Sequence, residues 1–420
     1  MQRLTGDAWL LFATRFIRLL AYGSLSVVLV FYLIGTGLSE PQTGTLLTLT
    51  LIGDTVVSLY LTTRADRIGR RRVLVVGAVL MAAAGLVFAS TMNLWLLILA
   101  GTVGVISPSG NEVGPFLSVE QAALAHVVTD RTRTEVFAWY TLTGSFATAL
   151  GALAAGIITH APQETAMASM SRYRVVVVLY ATLGVILAVL FSRLSRATEA
   201  ATPGEKRISR KGFAGLSGLD RSRDVVIKLS ALFALDSFAG GFLIQSFAAY
   251  WFYLRFGVNP ATLGAIFFGA NILAGLSALV ASRLASRFGL VTTMVATHLP
   301  SNILLLLVPL MPTLSLAVLV LLARFSISQM DVPARQSYIM AVVSPGERSA
   351  AAGITGVART TGAAISPLLV GFMFARPSLI NLPFFIAGTL KIAYDLLLYR
   401  AFVAIRPPEE TGSRTEGSQH

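Results

Sequence analysis

The sequence predicts an all-α integral membrane protein of about twelve transmembrane helices in two pseudo-symmetric six-helix bundles. Three observations carry that prediction. The chain is a succession of apolar runs of about 20 residues, each long enough to cross a bilayer as a helix. The short connections between runs alternate between Arg-rich and Arg-poor, the bias that marks cytoplasmic loops. Residues of the first half recur in the second at near-constant offsets, as in chains built from two parallel repeats.

Composition narrows the reading. Of 420 residues, 55% are hydrophobic and 13% charged, and the mean hydropathy is +0.73. That is too little charge to cover a water-soluble domain. No regular apolar/polar alternation supports a membrane barrel. The net charge of +13 could suggest nucleic acid, but Arg and Lys sit in short turns and one central linker. The expected partner is therefore the lipid bilayer and not nucleic acid. Cysteine is absent, and His126, His160, His298 and His420 are scattered. Thiolate metal sites are excluded, and no metal or cofactor is expected.

The first run, 9–34, is too long for a signal-peptide core and reads as a retained helix. It carries Arg15 and Arg18, and Thr14, Arg18 and Tyr22 share one face. Arg18 lies roughly 13 Å from the helix start at 1.5 Å per residue. Ionisable groups at that depth are functional candidates by default. Arg18 either faces a cavity and grips an anionic or acidic group, or forms a structural pair; Arg15 reads as a structural pair. The second run, 43–63, holds Asp54 near its middle, and the turn 64–72 that follows is strongly basic. The third run is 73–91.

The fourth, 94–126, contains two Pro and two Gly between 107 and 115, which break or kink a helix at membrane depth. Glu112 lies in that break, with Glu120 and Gln121 beyond it. The fifth run, 135–160, carries Trp139 and Tyr140, which read as packing residues, and the sixth is 173–194. The segment 195–225 is rich in Gly, Ser and charge, a mobile cytoplasmic connector with room for a surface helix.

The seventh run, 226–254, holds Asp236 near its middle. A buried carboxylate there can exchange a proton on alternate sides, and Gly240 and Gly241 leave space one turn away. Asp236 is therefore the better coupling candidate than Asp54; for either, a structural pair with Arg18 is an equally plain use. Asn271 of the eighth run (260–283) and Gln245 read as softer polar contacts. The ninth run is 290–311. The tenth, 314–343, carries Gln329, Asp331, Arg335 and Gln336; Asp331 and Arg335 are spaced to pair, with Pro333 between them expected to distort the pair. Arg359 of the eleventh run (350–374) is a further cationic candidate. The twelfth is 381–402, and 404–420 reads as a disordered tail.

Connections on one side carry only Arg172, Arg174, Arg255 and Arg376, whereas the other side carries Arg64 to Arg72, Arg193, Arg196, Arg283, Arg287 and the central linker. Both termini are expected in the cytoplasm, with the chain multi-pass in a plasma (inner) membrane. Gly37 and Gly257, Gly44 and Gly264, and Gly69 and Gly289 are each separated by 220 residues. Later the offset becomes 215: Glu120 matches Arg335, Gln121 matches Gln336 and Gly156 matches Gly371. The bundles are thus 1–194 and 226–403. Glu120 and Arg335, opposite in charge at matched positions, could meet as a gate or each stabilise its own half.

The basic turn carries a family resemblance. Asp66, Arg67, Gly69, Arg70 and Arg71 follow the G-x-x-x-D-R-x-G-R-R/K signature of major facilitator superfamily transporters, with Thr62 where that pattern has its first Gly. The resemblance spans about 9–402. It implies two bundles that rock around a central cavity, a default monomer, and a motif that closes the inner face in the outward-facing state. In that role Asp66 would cap a facing helix and Arg67 would pair across the interface; alternatively the arginines only orient the helix. The Gly-Pro signature of drug antiporters is missing from 144–151.

The expected activity is secondary transport of a small solute, proton-coupled, with Arg15, Arg18, Arg335 and Arg359 tilting the substrate toward anions or zwitterions and export as one direction. A multidrug/proton antiporter is the alternative, and a non-transporting sensor on the same fold a second. No nucleophile–base spacing suggests an enzyme, and no phosphate-binding Gly-rich loop suggests ATP-driven pumping.

Overall fold

The structure, a computed structural model, describes residues 5–128, 133–160, 166–199, 219, 222–344 and 347–403, without the side chains of 66, 126, 133–135, 166–168, 282, 285, 286 and 349. The expected tail 404–420 and connector residues 200–218, 220 and 221 lie outside the described residues.

The described residues are mostly helical and contain no strand. The helices are α1 (Gly6–Gly35), α2 (Glu40–Ile68), α3 (Arg70–Ser90), α4 (Leu94–Val103), α5 (Phe116–Val127), α6 (Arg133–Thr159) and α7 (Ala166–Ser192). The second half adds α8 (Arg223–Gly241), α9 (Gln245–Phe256), α10 (Pro260–Phe288), α11 (Leu290–Leu307), α12 (Leu314–Phe325), α13 (Asp331–Val342), α14 (Arg348–Phe374) and α15 (Leu382–Phe402).

Ten segments are long and apolar enough to cross a membrane, α8 and α9 counting as one. The remaining two passes of the twelve are the interrupted pairs α4/α5 and α12/α13. Several starts are capped by side chains: Thr5 for α1, Ser39 with Gln42 as a reciprocal box for α2, Asn93 for α4 and Thr313 for α12. Large apolar residues such as Val56, Leu99, Leu319 and Phe372 are exposed, as expected where the surrounding solvent is lipid.

The repeat is real at the level of backbone. Gly37 and Gly257 have φ of 98° and 68°, and Gly69 and Gly289 have φ of 104° and 85°. These matched pairs take the left-handed region that a side chain disfavours, which is why glycine recurs there.

The fourth span breaks where its Pro and Gly residues predict, between α4 and α5. The seventh, expected to be continuous, breaks at 242–244, directly after Gly240 and Gly241. The tenth breaks at 326–330, ahead of Pro333. Pro333 then falls in the first turn of α13, where a backbone N–H has no helical partner to lose. The Asp331–Arg335 pair therefore survives, at 3.4 Å.

The chain divides into two compact units. One comprises Met1–Lys206, Leu243–Ile272 and Pro367–Ile380; the other comprises Arg207–Phe242, Leu273–Ser366 and Asn381–His420. In the first, α1 packs on α6, α7 and α9, α3 packs on α7, and α2 packs on α4. The best window of α1 is 83% buried, so any charge on it must find a partner inside the protein. In the second, α11 packs on α15, α13 and α12, and α15 packs on α8. Its core joins Phe233, Met294, Tyr338, Tyr394 and Phe402.

Candidate functional site

Each unit encloses a cluster of ionised side chains. In the first, Arg18 is fully buried and presents a two-pronged fork to Glu120: Nη1 to Oε1 at 2.6 Å and Nη2 to Oε2 at 2.7 Å. The same guanidinium donates from Nε and Nη2 to Glu112 at 3.2 and 3.1 Å. Arg15 donates to Glu112 at 2.6 Å. Thr14 and Tyr140 hydroxyls also donate to Glu120. The Phe116 ring lies 4.7 Å from the Arg18 guanidinium, and the Tyr140 ring 4.3 Å from that of Arg15. Two arginines and two glutamates thus neutralise each other, with the Arg18 guanidinium bonded through all three nitrogens. The pairing suggested between Arg18 and Asp54 or Asp236 does not form; the glutamates on the broken fourth span take its place.

Asp54 has a different partner. It accepts the Gly114 N–H at 2.6 Å and the Ser58 hydroxyl at 3.3 Å. Gly114 belongs to the non-helical stretch 104–115, whose backbone groups have no ladder. Other side chains complete the accounting that a membrane interior demands. Tyr180 donates to the Val105 carbonyl, Ser107 to Asn111, Ser246 to Pro108 and Thr148 to Gly110. Gly110 and Gly114 both have positive φ. The break that places Glu112 is thereby a fixed structure.

In the second unit, Asp236 lies between two cations. Lys391 Nζ is 2.5 Å from Oδ1 and Arg335 Nη1 is 3.2 Å from Oδ2. Arg335 also meets Asp331. His298 Nε2 stands 3.8 Å from Asp236 Oδ1, and its Nδ1 is 2.7 Å from Asp395 Oδ1. Asn302 Nδ2 donates to Asp395 Oδ2 at 2.9 Å. Glu120 and Arg335, the matched opposite charges, each have partners within their own unit.

Among the remaining candidates, Asn271 donates to Gln245, which donates to Ser26 in the first unit. The Gln329 N–H donates to Ser277. Gln329, Gln336 and Arg359 have exposed side chains.

Lys391, Asp395 and Asn302 were not singled out by the sequence reading. Lys391 and Asp395 are ionisable residues one turn apart inside an apolar run, and that alone was a sufficient signal.

The basic turn is anchored by another residue that the pattern did not point to. Glu199 accepts the backbone N–H groups of Arg70 at 2.6 Å and Arg71 at 3.2 Å, at the N-terminus of α3, where a helix favours negative charge. Arg70 Nη1 donates to the Ala122 and Thr198 carbonyls, and Arg71 Nη1 to Leu194. Arg67 is exposed, and the Asp66 side chain lies outside the described residues. Ser195 is tied to Asp7 through its N–H and hydroxyl. The first residues of the expected loose connector are therefore docked on the first unit. Glu199→Gln is expected to destabilise by no more than about 1 kcal/mol and to speed amide exchange at Arg70 and Arg71. Unchanged exchange there would remove the capping role.

The sequence matches the family described as Major Facilitator Superfamily over residues 11–323 and 230–420. An uncharacterized membrane protein of Saccharomyces cerevisiae is 32% identical over 431 residues, spanning 95% of this chain and 94% of that protein. A bacterial homolog of the human lysosomal transporter Spinster, solved inward-facing and occupied, superposes with a TM-score of 0.73 at 14% identity, over 95% of this chain and 97% of the other. The nucleoside transporter NupG gives 0.71 at 15% identity, over 95% and 99%. At such identities the two structures share the fold.

Proposed function

The chain belongs to the Major Facilitator Superfamily, and from that premise we propose that it is a proton-coupled secondary transporter, not an enzyme, that carries a small anionic or zwitterionic solute by alternating access. The moving parts are the bundles 1–194 and 226–403, with 195–225 as connector and 404–420 as tail. Both termini lie in the cytoplasm, by the placement of Arg64 to Arg72, and a plasma (inner) membrane is the assigned location.

The observation that carries this reading is the charge order of the two buried clusters. In the first half a cation on the first span, Arg18, meets an anion on the fourth, Glu120. In the second half an anion on the seventh span, Asp236, meets a cation on the tenth, Arg335. The repeat has kept the spans and inverted the signs. Charges kept at membrane depth in both copies are costly and point to transport chemistry beyond packing.

The solute class follows from what is left after pairing. Arg15, Arg18 and Arg335 have carboxylate partners, so they offer no net charge to a ligand. Arg359 is exposed, with no ion pair among the described residues, and it is the cation available to an acidic group. The test is proton flux in proteoliposomes holding a pH dye, scanned with panels of organic anions, zwitterions and lipophilic cations. A response to anions or zwitterions that falls at least about tenfold in Arg359→Ala, the equivalent of ~1.4 kcal/mol, supports the proposal. A response to lipophilic cations alone would replace it with the multidrug reading.

A further inference from the structure

We propose that the coupling proton is carried by the His298–Asp395 pair, and that Asp236 is a fixed counter-ion. This assignment rests on the proton-coupled reading above and locates its ionisable group.

The sequence pointed to Asp236 as the group that exchanges a proton. The geometry argues otherwise by charge count. Lys391 and Arg335 are cations, and Asp236 and Asp331 are their anions, at 2.5, 3.2 and 3.4 Å. The ion-paired set is balanced. A proton added to Asp236 would leave two buried cations sharing one carboxylate, which is costly in a low-dielectric interior.

Asp395 stands outside that balance. It is fully buried, and its hydrogen-bond partners are His298 and Asn302; neither is a permanent cation. With a neutral imidazole, Asp395 has no ion pair among the described residues. One proton shared with His298 across 2.7 Å makes the pair electrically neutral in sum, as imidazolium with carboxylate or as imidazole with acid. The pair therefore has two forms that differ by one proton. The N–H or O–H bond formed on one side of the membrane is broken on the other, with no other reactant needed.

The surroundings suit that role. The ring bridges two carboxylates, with Nδ1 toward Asp395 and Nε2 3.8 Å from Asp236. The Tyr394 ring stands edge-on to it at 5.8 Å. Asn302 Nδ2 lies 3.1 Å from Nδ1, while Asn302 Oδ1 is a buried acceptor with no hydrogen-bond donor among the described residues. Pro300, inside α11 between His298 and Asn302, removes a ladder hydrogen bond and loosens this turn.

Among the described residues, the charged or titratable groups packed toward the ring are Lys391, Tyr394 and Asp395 on α15, Asp236 on α8, and Asp331 and Arg335 on α13. Arg324 on α12 and Arg359 on α14 act on Asp236, and among the described residues the ion-pair partner of Asp395 is His298.

The test needs no substrate. Protein labelled with isotopic histidine, in nanodiscs, is followed by NMR from acid to alkaline pH, with the His298 signals identified by their loss in His298→Gln. His298 is expected to titrate, and Asp395→Asn, which keeps the size and the Asn302 contact, is expected to move that transition by about one pH unit or more. Infrared difference spectra are expected to lose a carboxylic-acid band in Asp395→Asn. Thermal midpoints of both variants check folding. A His298 that keeps one form throughout, or a transition indifferent to Asp395→Asn, overturns the assignment. Proton flux that persists in His298→Gln also overturns it and leaves the transport reading intact. A titrating pair in a protein that moves no proton with any panel supports the site and removes the transport reading.

Discussion

Glu120→Ala is expected to lower the unfolding free energy by about 3–5 kcal/mol, the cost of stripping one partner from a buried ion pair. The size follows from what is stranded. Arg18 and Glu120 have no exposed side-chain surface, so water cannot replace the lost carboxylate. Two charge-assisted hydrogen bonds to Arg18 disappear, and the Thr14 and Tyr140 hydroxyls lose their acceptor.

Arg18→Met with Glu120→Leu in one protein is expected to recover most of that loss. Apolar replacement of both partners removes the buried charges together, and Arg15 with Glu112 remains a balanced pair at 2.6 Å. Thermal unfolding of the detergent-solubilised protein measures both. A wild-type midpoint for Glu120→Ala would show that the network adds nothing to stability. The double variant also decides between the two uses left open for Arg18. Folded but inactive, it marks the pair as part of the transport cycle; folded and active, it marks the pair as structural.

The pairing itself could not be read from the chain. Four carboxylates lay at plausible depth for Arg18, namely Asp54, Glu112, Glu120 and Asp236. Choosing among them requires the rotation of each helix about its axis, which apolar runs with little amphipathic contrast do not encode. Asp54 was drawn away by an unpaired N–H at Gly114, a demand created only by the tertiary path of the 104–115 break. Glu199 caps α3 across more than a hundred residues of chain, and no local pattern marks such a contact. Lys391 and Asp395 were visible as charges and went unweighted.

What was legible was whatever repeats or breaks: the run lengths, the fourth-span interruption from its Pro and Gly, and the glycine offsets. The break after Gly240 and Gly241 had the same kind of signal in weaker form. Glycines were informative because their two uses, positive φ and close approach, are backbone properties that survive when side chains diverge.

Gly44→Leu and Gly264→Leu are expected each to cut transport by at least about tenfold, because those offsets mark two contacts as well as four positions. A side chain at Gly44 would have its Cβ 2.4 Å from the Pro367 carbonyl oxygen and 3.0 Å from Gly371 Cα; at Gly264 it would meet the Ala152 oxygen and Gly156 Cα, both at 2.6 Å. Gly44 matches Gly264 by the first offset, and Gly371 and Pro367 match Gly156 and Ala152 by the second. The two crossings, α2 with α14 and α10 with α6, are therefore copies of one contact. Both lie in the first unit, at the end opposite the basic turn, beside the Tyr250–Glu40 and Leu368–Thr48 hydrogen bonds. In the proposed cycle they are the contacts that would hold that end shut.

Driving a bulky group into backbone costs about 1–3 kcal/mol, enough to reduce the closed population by about 5- to 150-fold. Since the chain has no cysteine, spin labels at Gln42→Cys and Arg376→Cys report the separation directly and are expected to move apart in either variant. Gly353→Leu is the control, because nothing lies within 4 Å of a Cβ there. Wild-type transport and unchanged label distances in both leucine variants would remove the crossings from the cycle. A loss in one alone would break the symmetry argument while leaving the other contact in place. Equal losses would show that the repeat preserved a closing surface, a constraint on backbone approach that the divergent charges of the two halves do not share.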